Sequence, residues 1–309
     1  MAIAWIFPGQ GSQKPGMAEG VIDLPGARER FDRSSALLGR DLLAICAGSE
    51  ASGNGSGACG SGGPGEPSDL NDTRNTQPAL FVVESLLVDE LHRQGRTAQL
   101  VAGHSLGELV ALYAAGVFDA ETGLALMRRR SELMAAAGGG AMTAVMGFDR
   151  DELEQVVAAT EGVVIANDNS AAQVVLSGTP EAVASVSATV RCKRAIPLAV
   201  SGAFHSPFMA AAAAAFAAEL EGVPFADARI PVLSNVDPRP ETSATALKER
   251  LRQQMTMGVR WRETMEGLQS AGITTAVEIG PGNVLSGLIK RSCPGLGTAQ
   301  IAGTGDLGQ

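Results

Sequence analysis

Gly103-His104-Ser105-Leu106-Gly107 places a serine midway between two glycines. The apolar run before it, AQLVA, and the small and apolar stretch after it, LGELVALYAAGVF, predict a strand, a sharp turn and a helix. That is the arrangement of a nucleophile elbow. Glycines two residues to either side suit a turn in which bulky neighbours would clash. Ser105 would be lifted to a helix N-terminus, with the Leu106 N–H facing any negative charge that forms on an attacked carbonyl. Taken alone, Ser105 fits a helix cap as well as a nucleophile.

A serine hydroxyl is a poor nucleophile without a base, and the chain offers three histidines. His92, in DELHRQG, lies near a polar helix end and reads as solvated. His104 adjoins Ser105 and cannot easily swing to its hydroxyl, so it is expected to line the pocket. His205, in SGAFHSPFM, sits in a loop bounded by Gly202 and Pro207, the kind of junction that displays catalytic groups. His205 is the expected base. No acidic residue between Ser105 and His205 has the setting of a third triad member: Asp119, Asp149 and Asp151 flank helices, and Asp168 falls in a smaller module. A Ser105–His205 dyad follows, with a backbone carbonyl orienting the imidazole.

The elements that must hold these residues read as an α/β chain. Ala2–Phe7 predicts a buried strand stopped by Pro8-Gly9, Ala27–Leu43 a helix, and NTQPALFVVESLLVDELHRQG a longer one. Residues 124–134 predict another. From Met142 the pattern runs strand, helix, strand, strand, helix, with a closing strand expected at Ala195–Val200, the order of a ferredoxin-like module. Residues 1–138 and 201–309 are thus expected to form a large domain with a parallel sheet, and 139–200 a small insert. Gly48–Pro67 reads as a flexible glycine-rich loop, since it offers little to offset the entropy of ordering.

The whole chain sets outer bounds. Its 309 residues are 45% hydrophobic, 18% charged and 4% aromatic, which suits a turn-rich α/β protein. A net charge of −9 argues against nucleic acid as a partner. No run is long enough to span a membrane, and the start MAIAWIFPGQGSQ lacks the features of a secretory signal. Cys46, Cys59, Cys192 and Cys293 show neither metal-ligand spacing nor a disulfide framework, so no metal and a reducing, cytoplasmic setting are expected.

Six stretches in order, FPGQGSQ, NTQPAL, GHSLGE, ANDNS, GAFHSPFM and EIGPGNVLSGL, resemble the malonyl-CoA:acyl carrier protein transacylases. The polyketide-synthase acyltransferase domains share that fold. The resemblance spans nearly the whole chain, with Gly48–Pro67 as an unmatched insertion. It implies an α/β-hydrolase-like catalytic domain, no cofactor beyond the coenzyme A thioester as substrate, malonyl-CoA and an acyl carrier protein as partners, and a monomer.

It also implies roles. Arg130, in LMRRR, would pair with the malonyl carboxylate, for which a planar fork of donors is suited; without the resemblance it reads as a solvated helix face. The Gln10 N–H would join that of Leu106 in an oxyanion hole. Gln254 would mark the carbonyl that orients His205, although MGVRW puts Gly258 where the family usually has proline. His104, Gln77 and Phe204 would line the acyl pocket, with Phe204 favouring malonyl over methylmalonyl; by itself Phe204 reads equally as a core aromatic. Asn167 and Asn169 would meet the coenzyme A or phosphopantetheine arm. The basic run Arg191, Lys193 and Arg194 reads as a solvated face or a contact for an acidic carrier. The alternatives are a serine hydrolase of the same fold, acting on acyl carriers or acyl-CoA, and a non-catalytic docking subunit.

Overall fold

Alternate residues of the first strand serve two different cores. The computed structural model describes residues 2–48, 69–200 and 202–308. In β1 (Ile3–Phe7), Trp5 and Phe7 pack with one cluster and Ala4 and Ile6 with another, and all four are buried. The strand is apolar on both faces because helices cover both faces of its sheet.

After β1 come α1 (Ala27–Leu38), α2 (Leu42–Ala47), α3 (Thr73–Arg93), β2 (Leu100–Gly103), α4 (Gly107–Ala114) and α5 (Ala120–Ala136). The smaller module holds β3 (Ala141–Phe148), α6 (Arg150–Ala159), β4 (Val163–Ser170), β5 (Gln173–Gly178), α7 (Pro180–Thr189) and β6 (Cys192–Pro197). The chain returns through α8 (Ala210–Glu221), β7 (Val232–Leu233), α9 (Ala244–Gln253), α10 (Trp261–Ser270), β8 (Thr275–Ile279), α11 (Val284–Ser292) and β9 (Gly297–Ile301).

One sheet is parallel, in the order β7-β2-β1-β8-β9. Trp261, Met265 and Leu268 of α10 and Leu285, Leu288 and Ile289 of α11 cover one face; α1 to α5, α8 and α9 supply the cluster on the other. The second sheet is antiparallel, in the order β4-β5-β3-β6. It has a core of its own, in which Val145, Val174 and Leu176 meet Leu153 of α6 and Val183 and Val186 of α7.

The expected helix over Ala27–Leu43 is two helices. Gly39, at φ 67°, ends α1, and the Asp41 side chain starts α2 by accepting the Ala44 N–H at 2.9 Å. The closing strand of the small module runs earlier than Ala195–Val200, because Cys192 and Pro197 pair with Phe148 and Thr143. Gly48, at φ 69°, caps α2; the rest of the glycine-rich stretch lies outside the described residues. Among the described residues no helix is long and apolar enough to cross a membrane.

Candidate active site

The elbow forms because only glycine fits where its two limbs cross. A Cβ on Gly103 would lie 1.9 Å from the Gly107 carbonyl, and one on Gly107 would lie 2.2 Å from the Phe7 oxygen. Between them Ser105 takes a φ of 54°, and His205 has the same value; among the described residues no other non-glycine residue has positive φ. Each costs on the order of 1–2 kcal/mol of backbone strain. Strain of this kind persists where surrounding contacts over-determine it, and it clusters at working sites.

The two strained residues meet. Ser105 Oγ lies 2.7 Å from His205 Nε2, and His205 Nδ1 lies 2.9 Å from the Gln254 main-chain oxygen. A carbonyl can only accept, so Nδ1 carries the proton and Nε2 is left to accept from the hydroxyl. Burial, and secondarily the charge of Arg130, pull the His205 pKa down to about 3, while the Gln254 carbonyl opposes them. The imidazole is therefore neutral at physiological pH. Among the described residues the group that holds Nδ1 is this main-chain carbonyl and not a carboxylate.

Arg130, on α5, is not on a solvated face. It is 0% exposed. Its Nη2 donates to Ser105 Oγ at 3.1 Å and to Gln254 Oε1 at 2.9 Å, and its Nη1 donates to Gln77 Oε1 at 2.7 Å. Its Nε is buried and has no acceptor among the described residues. Burial lowers the Arg130 pKa to about 10, Glu108 opposing, so the group remains a cation at neutral pH.

Other expected residues surround this centre. His104 Nε2 lies 2.8 Å from Asn169 Oδ1, and burial lowers the His104 pKa. Gln77 reaches the site as the partner of Arg130, its amide also lying 3.4 Å from Met134 Sδ. Leu106 opens the turn into α4. The Gln10 turn abuts the elbow, since a Cβ on Gly9 would lie 2.6 Å from the His104 oxygen; the Gln10 side chain itself donates to Thr73 Oγ1 at 3.2 Å. Phe204 is buried in the larger core against Gly202. Asn167 pairs with Val259 through a main-chain bridge and keeps a buried Oδ1 without a donor among the described residues. At Gly258 of MGVRW a Cβ would lie 2.9 Å from the Ile165 oxygen. The loop after Gln254 thus presses against β4.

Asn235 and Glu108 were not marked as site residues by sequence. Asn235 Oδ1 accepts the Ser105 N–H at 2.7 Å, and Glu108 Oε2 accepts from Gln254 Nε2 at 2.7 Å. The available signals were the place of Asn235 just past a strand of a parallel sheet, where sites collect, and a carboxylate set in an otherwise apolar helix.

A family of acyl transferase domains matches residues 4–305. A malonyl CoA-acyl carrier protein transacylase of Synechocystis sp. is 48% identical over 99% of this chain and 99% of its own length. The chain belongs to the acyl transferase family. This acyl transferase superposes on the crystal structure of the Synechocystis enzyme with a TM-score of 0.91, covering 100% of this chain and 99% of that one. A malonyl-transacylase solved in complex with its type II polyketide-synthase acyl carrier protein gives a TM-score of 0.88 at 36% identity, covering 99% and 98% of the two chains. A transacylase of Bacillus subtilis is 38% identical over 94% of this chain and 90% of its own.

Proposed function

We propose that this acyl transferase moves a malonyl group from malonyl-CoA to the phosphopantetheine thiol of an acyl carrier protein, through a malonyl ester on Ser105. The observation that carries the reading is Arg130: a buried cation whose Nη2 touches the Ser105 hydroxyl and whose neighbouring Nε has no acceptor among the described residues. Nη2 and Nε form one edge of the guanidinium, the geometry that holds a carboxylate with two parallel hydrogen bonds. An acyl group with a free carboxylate would satisfy the buried Nε and take over the place of the serine at Nη2. Its thioester carbon would then lie near the hydroxyl just released.

The steps follow from the dyad. Ser105 Oγ attacks the thioester carbonyl as its proton passes to His205 Nε2. The oxyanion is met by the main-chain N–H groups of Leu106 and Gln10. Collapse expels the coenzyme A sulfur, which takes the proton from His205. The carrier thiol then gives its proton to His205 and attacks the ester; Ser105 leaves and recovers the proton. His104, Phe204 and Gln77 border the acyl group, and Asn167 and Asn169, on β4, face the arm that delivers it.

The small module is read as ferredoxin-like, supported by its strand-helix-strand-strand-helix-strand order and its antiparallel sheet. Residues 1–138 and 201–309 are read as the α/β-hydrolase-like catalytic domain, supported by the strand, elbow and helix around Ser105.

Intact mass tests the reaction. Brief incubation with malonyl-CoA is expected to add one malonyl group at Ser105, discharged on addition of carrier. Discharge at the same rate without carrier would point to a hydrolase, and no adduct at all would end the reading.

A further inference from the structure

The two peptide groups that flank Ser105 are each gripped by a side-chain amide with no part in the proton transfers above. On one side, Asn235 Oδ1 accepts the Ser105 N–H at 2.7 Å while Asn235 Nδ2 donates to the Gly103 carbonyl at 2.6 Å. On the other, Gln254 Nε2 donates to the Ser105 carbonyl at 2.9 Å. Both grips converge on one oxygen. Glu108 Oε2 accepts from Gln254 Nε2 at 2.7 Å and from the Asn235 main-chain N–H at 3.1 Å. Glu108, Gln254 and Asn235 are all buried.

The Ser105 carbonyl and the Leu106 N–H belong to one planar trans peptide, so they point in opposite directions. Holding the oxygen toward Gln254 turns the N–H the other way. Asn235 fixes the preceding peptide by a different device. The β7 ladder pairs Val101 with Val232 and Ala102 with Leu233. Two residues further on, the Asn235 side chain continues the pairing where β2 bends away into the elbow. The Asn235 carbonyl accepts the Arg260 N–H at 3.0 Å, so its main chain is held at both ends.

We infer that Glu108 and Asn235 are positioning residues for acyl transfer: Glu108 anchors Gln254 and Asn235, and their carboxamides set the peptide planes around Ser105, aiming the Leu106 N–H at the oxyanion. This rests on the proposed function only in requiring that a tetrahedral anion form at Ser105.

The test pairs malonyl transfer with phosphonylation of Ser105 by an alkyl fluorophosphonate, a probe that needs the nucleophile and oxyanion donors but no malonyl recognition. Glu108→Gln keeps side-chain volume. It is expected to lower kcat about 10- to 100-fold, less than the roughly 10²- to 10³-fold loss on deleting an oxyanion donor outright. The phosphonylation rate is expected to fall by the same factor, with KM for malonyl-CoA and the melting temperature close to those of the unaltered protein. Asn235→Ser is expected to lower both rates in parallel, and carries the test if Glu108→Gln does not fold. Unchanged phosphonylation and kcat in a folded variant, or a loss confined to KM, would overturn the inference. Unaltered protein that is phosphonylated but takes no malonyl group would overturn the proposed function and leave this inference to be judged on phosphonylation rates.

Discussion

Arg130 and His205 are coupled through one hydroxyl, and that coupling links recognition to base strength. The guanidinium charge is the second cause, after burial, that holds the imidazole near a pKa of about 3. A malonyl carboxylate on Arg130 would offset that charge and raise the pKa of His205 in the complex. The acid limb of kcat is therefore expected at higher pH than the acid limb of kcat/KM, since the first reports the complex and the second the free enzyme. Stopped-flow acylation from about pH 4 to pH 8 checks it: an acid limb in kcat with kcat/KM flat over that range shows the coupling, and both flat shows none. Arg130→Met is expected to slow malonyl loading about 100-fold, the equivalent of one or two charge-assisted hydrogen bonds at about 1.5–3 kcal/mol each, while acetyl loading is retained. Stability has a related pH dependence. The unfolded chain takes up a proton at His205 near pH 6.5 that the folded chain refuses until about pH 3. Folding stability should thus decline as pH drops below 6.5, and the decline should flatten in His205→Asn, as read by urea denaturation.

Between elements, two close packings make sharp predictions. Gly107→Ala would drive a methyl group to 2.2 Å from the Phe7 oxygen, backbone against backbone. It is expected to cost more than about 3 kcal/mol, beyond ordinary overpacking, and to abolish labelling of Ser105 even where some protein folds. The second lies where α3 meets β8. Glu278 caps α11, accepting the N–H groups of Leu285 and Ser286 at 3.0 and 2.7 Å. Glu84, fully buried with no donor to either oxygen among the described residues, has its pKa pushed well above the usual carboxylate range by burial and by Glu278. A raised folded-state pKa favours the fold at low pH, and the benefit is lost as pH rises through that value. Glu84→Met is therefore expected to raise the melting temperature at pH 8 by a few degrees, about 1 kcal/mol or more, and to flatten its alkaline decline. A lower melting temperature at pH 8 would show that Glu84 is better accommodated than its surroundings suggest.

Across the whole molecule, β4 joins the small module to the large one. Asp168 pairs with Arg150 of α6 at 2.9 Å and with Arg262 of α10 at 2.9 Å, beside the Asn167–Val259 bridge and the Asn169–His104 contact. Asp168→Asn is expected to destabilise by about 1–3 kcal/mol, because two guanidinium groups lose a largely buried partner. It should also raise KM for malonyl-CoA as Asn169 loosens; stability and KM unchanged together would mean that the module is held by its main-chain bridge alone. At this scale the division of information is plain. The sequence by itself marked the strand, sharp turn and helix around Ser105, His205 as a candidate, and the strand-and-helix order of the small module, because turn chemistry and hydrophobic period are local and each follows from a few neighbouring residues. The break at Gly39 is missed and the strand at Cys192–Pro197 is placed a few residues late by periodicity, since caps and strand partners end an element. Only the tertiary structure decided that Arg130 is buried beside Ser105, that Gly258 fits against β4, and that Asn235 and Gln254 hold the peptides beside Ser105 with Glu108 behind them. Those contacts join residues distant in the chain, as between Ser105 and Asn235 or Gly258 and Ile165, or turn a helix inward; which face a helix buries, and what a strand end meets, is settled by packing.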